Sequence, residues 1–211
     1  MHANSVLLFQ KYVIPVLRDG MKVLEIGPDD FPSTYQRLAG ALKFECWDTL
    51  DTYNNPMLTY SNSREYEFQI QAESYDVVLS GQVIEHVRKP WLWIPELSRV
   101  TKIGGHVITI NPVSWKFHEA PVDCWRIYPE GMRALYEDAG IKVSFSQCES
   151  LEMQGLRRYQ AGVSIEHQNR RRRIISKIFG RLGFPVERAY DTITLGERQS
   201  AQNIAMTRLP I

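Results

Sequence analysis

Apolar residues fall in short runs closed by turn residues, and these runs alternate with stretches of helical spacing. Val23, Leu24 and Ile26 form a run closed by Gly27 and Pro28, which predicts a strand over 21–27. Similar runs predict strands over 42–48, within 57–68, and over 75–81, 106–111 and 141–148. A last strand is expected over Gln202–Arg208. Val6, Phe9, Val13 and Leu17 share one face of a helix within 1–20, with Asn4 or Ser5 as its cap and a kink or end near Pro15. A helix is expected over 32–40, with Pro32 in its first turn and Gly40 at its end. Pro129 opens another, with Met132, Leu135, Tyr136 and Ala139 on one face and Gly140 closing it. Strands alternating with helices predict a parallel sheet covered on both faces. Such sheets bind ligands beyond the carboxyl ends of their strands.

The end of the first strand is therefore where chemistry is expected. Glu25 places a carboxylate there, suited to a cationic or hydroxyl-rich ligand, and Gly27 lets the backbone approach a bound molecule closely. Asp29 and Asp30 turn the loop that follows.

Three stretches carry a resemblance to a known family. They are Met21–Asp30, containing Val-Leu-Glu-Ile-Gly; Tyr75–Val87, reading Tyr-Asp-Val-Val-Leu-Ser-Gly-Gln-Val-Ile-Glu-His-Val; and Trp91–Thr101 followed by Gly104–Pro112. Over about residues 20–150 the chain resembles a class I S-adenosylmethionine-dependent methyltransferase of the small-molecule type. The resemblance implies a doubly wound, Rossmann-like α/β sheet of about seven strands. The last strand should be antiparallel, inserted between strands five and six, and a helix should end near Arg99-Val100. S-adenosylmethionine is the implied cofactor. Glu25 matches the acid that holds its amino-acid end, directly or through water, and Gly27 matches the glycine beneath it. Asp29 belongs to the same loop, where the family usually has a second glycine. Trp47 and Asp48 fall at the expected end of strand two, where an acid can accept both ribose hydroxyls. Ser63 lies near the adenine side, where the family's usual acid has no clear match. Ser80, Gly81 and Gln82 end strand four and should face the sulfonium and the acceptor.

The segment Asn111–Pro129 follows strand five and should lie above the same crevice. His118, Pro121, Asp123, Trp125, Arg126, Pro129 and Gly131 match a pattern of a methyltransferase subgroup associated with sugar and surface-polysaccharide modification. His118 can serve as a general base, because imidazole titrates near working pH. Asp123 can orient it or bind a substrate hydroxyl. Arg126 can pair with Asp123 or grip an anionic group, and Trp125 can pack in a lid or meet the substrate. His86, at the end of strand four, can touch the substrate or tie the strand to the next helix.

Composition changes this picture in few places. The 211 residues, 44% hydrophobic, suit one domain over 1–211 with an N-terminal helix in 1–20. Cys46, Cys124 and Cys148 are widely spaced, which fits reduced cytoplasmic thiols, and the histidine and cysteine spacing predicts no metal set. No apolar run approaches the roughly 20 residues of a membrane span, and Met1–Gln10 has no signal-peptide pattern. Residues 151–199 form an expected helical insertion between the last two strands. Within it, 157–181 hold eight cations and one acid, in a chain whose net charge is +1. That segment is expected to be a solvated helix face, to steer an anionic substrate, or to build a homodimer contact. Nucleic acid is not an expected partner, because no aromatic residue interrupts the arginine run and no recognisable module is present.

The expectation is a cytoplasmic enzyme that methylates a small-molecule or carbohydrate acceptor, at oxygen, in carbohydrate or natural-product biosynthesis. Two alternatives remain: N-methylation of an amine or amino-sugar, and a non-catalytic cofactor-binding partner subunit.

Overall fold

The computed structural model describes residues 3–115, 117–119, 121–152 and 189–200. In chain order its elements are α1 (Ala3–Leu8), running into a π-helical turn at Phe9–Val13, then β1 (Lys22–Ile26), α2 (Thr34–Leu38) and β2 (Cys46–Leu50). There follow β3 (Tyr75–Gly81), α3 (Pro90–Val100), β4 (Thr101–Pro112), α4 (Pro129–Asp138), β5 (Ile141–Glu149) and β6 (Asp191–Arg198). Among the described residues the sheet has six strands in the order β2-β1-β3-β4-β6-β5. The first four are parallel, and β6 runs antiparallel between β4 and β5.

Alternation along β3 shows how the sheet is buried. Val77 and Leu79 pack with Leu8, Phe9 and Tyr35 on one face, while Val78 packs with Trp93, Leu97 and Tyr136 on the other. Both faces are covered, so the central strands read as continuous apolar runs. Leu79→Ala would empty a fully buried site between layers, costing about 2–5 kcal/mol.

Three expectations change. No third strand forms within 57–68; Tyr60 makes one parallel bridge to Leu50, leaving β2 as the edge strand. The turn-forming Asn54, Asn55, Pro56, Ser61 and Asn62 explain the short pairing. The antiparallel strand is Asp191–Arg198, earlier than expected, and 202–208 lies outside the described residues. Its threonines alternate with Ile193 and Leu195, which resembles a half-exposed pattern, yet Asp191–Gly196 are buried on both faces. The segment between β5 and β6 therefore ends at residue 190. Asn4 and Ser5 do not cap α1 but lie inside it, fully buried. The Asn4 amide donates to Asp191 Oδ2 at 2.7 Å, and the Ser5 hydroxyl meets the Tyr35 hydroxyl at 2.5 Å.

The segment 153–188 is outside the described residues, but its two ends are fixed. Ala189 N–H donates to Glu152 Oε2 at 2.9 Å, and Leu151 N–H donates to Asn4 Oδ1 at 2.8 Å. Asp191 pairs with Pro112 at the carboxyl end of β4. Residues 151–152 and 189–191 thus lie together at the carboxyl end of β4.

Candidate active site

A cleft of about 530 Å³ opens beyond the carboxyl ends of β1, β2 and β3, lined by Gly27, Asp51, Ser63, Phe68, Gln82 and His86 among others. That is within the roughly 300–1,000 Å³ of small-molecule sites.

Gly27 forms its floor with φ +69°, and a Cβ there would stand 2.5 Å from Val83 Cγ2. The position requires glycine both for its left-handed backbone and for space. Glu25 lies directly behind it, 1% exposed. Its Oε2 accepts from Ser33 Oγ at 2.5 Å and from Trp47 Nε1 at 2.8 Å. Burial pushes its carboxyl up to about 7, against the pull of those two donors. Glu25 and Trp47 thus brace the loop after β1 from beneath. Asp29 accepts from Thr34 N–H at 2.8 Å and from the Thr34 hydroxyl at 2.7 Å, fixing the start of α2. Ser33 caps that helix by accepting from Gln36 N–H at 3.0 Å.

Asp48 does not end β2. The strand continues to Leu50, and Asp48 sits in mid-strand, where Oδ2 accepts from the Tyr75 hydroxyl at 2.7 Å. The acid beyond the strand end, on the cleft wall, is Asp51. Burial raises its carboxyl above the ordinary range, while Thr52 N–H donates to it at 2.6 Å. Sequence reasoning missed Asp51 because the predicted strand stopped two residues early. Ser63 lines the cleft as expected, and its N–H donates to the Asp51 carbonyl at 3.1 Å. Leu50, Phe68 and Val83 add apolar wall beside it.

At the end of β3, Ser80 is buried, and Gly81 lies so close to Tyr35 that any Cβ would collide with its ring. Gln82 follows with φ +61°. Its N–H donates to the Ile110 carbonyl at 2.8 Å, and its amide donates to Asp191 Oδ1 at 3.1 Å. Gln82 is therefore held between the cleft and the buried Asn4–Asp191 pair.

The segment after β4 folds back over this strand end. Cys124 N–H donates to the Glu85 carbonyl at 2.7 Å, Trp125 Nε1 donates to the Val87 carbonyl at 2.8 Å, and His86 Nδ1 bonds the Val122 carbonyl. Arg126 grips Asp123 through two nitrogens, at 2.5 and 2.7 Å. Asp123 also accepts from His118 N–H at 2.8 Å, and the His118 ring nitrogen Nδ1 stands 3.4 Å from the same oxygen. Arg126 holds the Asp123 carboxyl far below the usual range. With its side chain 2% exposed, Asp123 braces His118 and is closed to substrate. Arg126 is committed to that strut, and Trp125 packs edge-on against Trp91 at 6.1 Å.

This stitching brings His118 to His86, with ring centroids 5.1 Å apart. His86 lines the cleft, and its Nε2 is 3.8 Å from Glu85 Oε1. Glu85 is 1% exposed, and neither carboxylate oxygen accepts a hydrogen bond from another described residue. Burial pushes its carboxyl up to about 8. A buried carboxyl of this kind is a candidate functional position. The adjacent histidine drew attention in the sequence; the burial that distinguishes Glu85 becomes visible only in the fold.

Residues 47–109 match the family described as "Methyltransferase domain". No curated protein shows significant sequence similarity to the chain. Several solved structures share the fold at low identity. A Haemonchus contortus phosphoethanolamine N-methyltransferase 2, in complex with S-adenosyl-L-methionine, is 13% identical with TM-score 0.61, over 94% of this chain and 53% of that one. An S-adenosylmethionine-dependent methyltransferase from Aquifex aeolicus is 15% identical with TM-score 0.53, over 88% of each chain. The [4+2]-cyclase SpnF is 14% identical with TM-score 0.60, over 91% and 81%. The cleft suits this cofactor: Asp51 offers carboxylate oxygens to a diol, and the glycine floor leaves room for a ligand beside the backbone. The domain match over residues 47–109 falls on β2, β3, α3 and β4 of this sheet, whose fold is shared with S-adenosylmethionine-dependent methyltransferases.

Proposed function

We propose that the enzyme methylates a hydroxyl of a small, carbohydrate-bearing acceptor. The observation that carries this reading is the Glu85–His86–His118 corner beside the cleft. A hydroxyl must lose its proton as the new bond forms, so it needs a group that favours that loss. The acceptor oxygen attacks the methyl carbon in line with the departing sulfur, and much of the rate comes from alignment. Asp51 and Ser63 hold the cofactor's nucleoside side, and Gly27 and Gln82 pass beneath its reacting end. His118, braced by Asp123, faces the acceptor and receives its proton. Cations within 157–181 favour an anionic acceptor such as a sugar phosphate, and the free thiols fit a reducing, cytoplasmic setting.

An amine acceptor is the second reading, favoured by the buried Glu85 carboxyl, which would attract an ammonium. The fold it shares with an N-methyltransferase is compatible with it. The test uses S-adenosylmethionine carrying an isotopically labelled methyl, with sugar phosphates and amines as acceptors and mass spectrometry as readout. Label on a sugar hydroxyl, with turnover falling roughly 10²–10⁴-fold in His118→Ala, supports the hydroxyl reading. Label on an amine, insensitive to His118→Ala, supports the second. No transfer to either class contradicts both.

A further inference from the structure

We propose that Glu85, His86 and His118 form a binding site for a divalent transition-metal cation, at the acceptor end of the cleft. One ligand atom from each lies within 4.8 Å of the others. This inference rests on reading the corner as the acceptor side.

Four features of the corner point to a cation. The donor set is two imidazoles and one carboxylate, which suits zinc, iron, cobalt or nickel in preference to magnesium or calcium. The carboxylate of Glu85 is buried, meets no hydrogen-bond donor from another described residue, and lies 3.8 Å from the Nε2 of His86. A buried carboxylate in that state is costly unless something positive meets it. The ring of His86 is oriented from behind: its Nδ1 is bonded to the Val122 carbonyl, which fixes the proton on Nδ1 and leaves Nε2 with a lone pair. His118 has a matching arrangement. Its Nδ1 is 3.4 Å from Asp123, which is itself held by Arg126. A ligating histidine whose other nitrogen meets a carbonyl or a carboxylate is the usual outer support of a metal ion.

Zinc bonds of about 2.0–2.2 Å place ligand atoms closer together than they stand here, so the corner must close by roughly 1 Å. That closure would be made by His118, whose segment meets the strand end through Cys124 N–H, Trp125 Nε1 and the Val122 carbonyl. Three protein ligands leave at least one position open, and His86 directs it toward the cleft. An acceptor hydroxyl bound there would coordinate through oxygen. The ion would lower the hydroxyl's pKa, and the proton would pass to water. His118 would then act as a ligand, and the ion would take over the task of favouring proton loss.

Linear spacing could not reveal this site. Glu85 and His86 are adjacent, whereas His118 arrives from the segment after β4, and two bonds bring them together: Cys124 N–H of that segment donates to the Glu85 carbonyl, and His86 Nδ1 bonds the segment's Val122 carbonyl.

The experiment uses the full chain, freed of metal with a chelator and titrated with cobalt(II) chloride. Visible absorption reports nitrogen and oxygen ligation, and a parallel thermal-shift titration uses zinc chloride. S-adenosylhomocysteine is added separately to every variant, and its stabilising shift shows that the cleft is folded. The expected result is one cobalt per chain, with uptake weakened at least tenfold in both Glu85→Gln and His118→Ala. Asp123→Asn, acting behind His118, should weaken it roughly 10–100-fold. If the parent chain takes up no cobalt while S-adenosylhomocysteine still stabilises it, the metal site is refuted and the methyltransferase reading stands. Equal uptake by the parent and both ligand variants would refute it as well. If the parent chain gains no stability from S-adenosylhomocysteine, the cleft reading fails; cobalt uptake is still decided by the ligand variants.

Discussion

Single side chains set the pH behaviour of the cleft. Glu25 is buried with its carboxyl raised from 4.5 to about 7. The folded state therefore holds a proton there that the unfolded chain has already lost. Stability from this group is present below about pH 4.5 and declines as pH rises to about 7, by on the order of 3 kcal/mol at about 1.4 kcal/mol per pH unit. His106 acts oppositely, since burial lowers its pKa and favours folding as pH rises through its ordinary value of 6.5. Glu25→Gln keeps acceptors for Ser33 and Trp47 but removes the titration. Chemical denaturation of the ligand-free protein between pH 5 and 8 should show a less negative slope of stability with pH in Glu25→Gln than in the parent, and equal slopes would contradict the assignment. Glu25 was legible in the sequence as the acid of the first strand. Asp51 was not, because a strand boundary misjudged by two residues moves the end of the strand from one acid to another. Asp48 and Asp51 differ in their neighbours, Tyr75 for one and the open cleft for the other, and only packing discloses that.

Among elements, the loop after β1 and the lid after β4 carry the site. Gly27→Ala would force a side chain into the left-handed region and against Val83. The backbone term alone costs roughly 1–2 kcal/mol, and the displaced Val83 would disturb the wall beside it. A lower melting temperature, together with S-adenosylhomocysteine affinity weakened at least tenfold, is the expected outcome; unchanged affinity would remove Gly27 from the cofactor floor. Regular elements were readable because their periodicity reports burial directly: β1, β3 and α4 lie within a residue or two of their expected ranges. The antiparallel strand was misplaced because threonine in Asp191–Leu195 resembles a solvent-facing position, although both faces are covered. Lid geometry was legible as residue types but not as contacts. Asp123 and Arg126 read equally as substrate groups or as a strut, and their paired bonds at 2.5 and 2.7 Å select the strut.

For the whole molecule, the described residues that flank the strongly basic stretch of sequence, Glu152 and Ala189, are joined on the carboxyl side of the sheet. Replacing Arg170 to Arg173 with glutamine should raise the Michaelis constant for an anionic acceptor and flatten its dependence on salt, whose screening length is about 10 Å at 0.1 M. Cofactor affinity should be unchanged, and identical kinetics at low salt would show that the arginines do not steer the acceptor. The central claim is that S-adenosylmethionine occupies the cleft bounded by Gly27, Asp51, Ser63 and Gln82. Calorimetric titration of S-adenosylhomocysteine into the parent, Asp51→Ala and Asp48→Ala tests it most directly. A ribose diol held by Asp51 predicts a loss of about 1.5–3 kcal/mol in Asp51→Ala, roughly 10–100-fold in affinity, and a much smaller change in Asp48→Ala. Undiminished binding in Asp51→Ala, or no binding to the parent at all, would contradict the account.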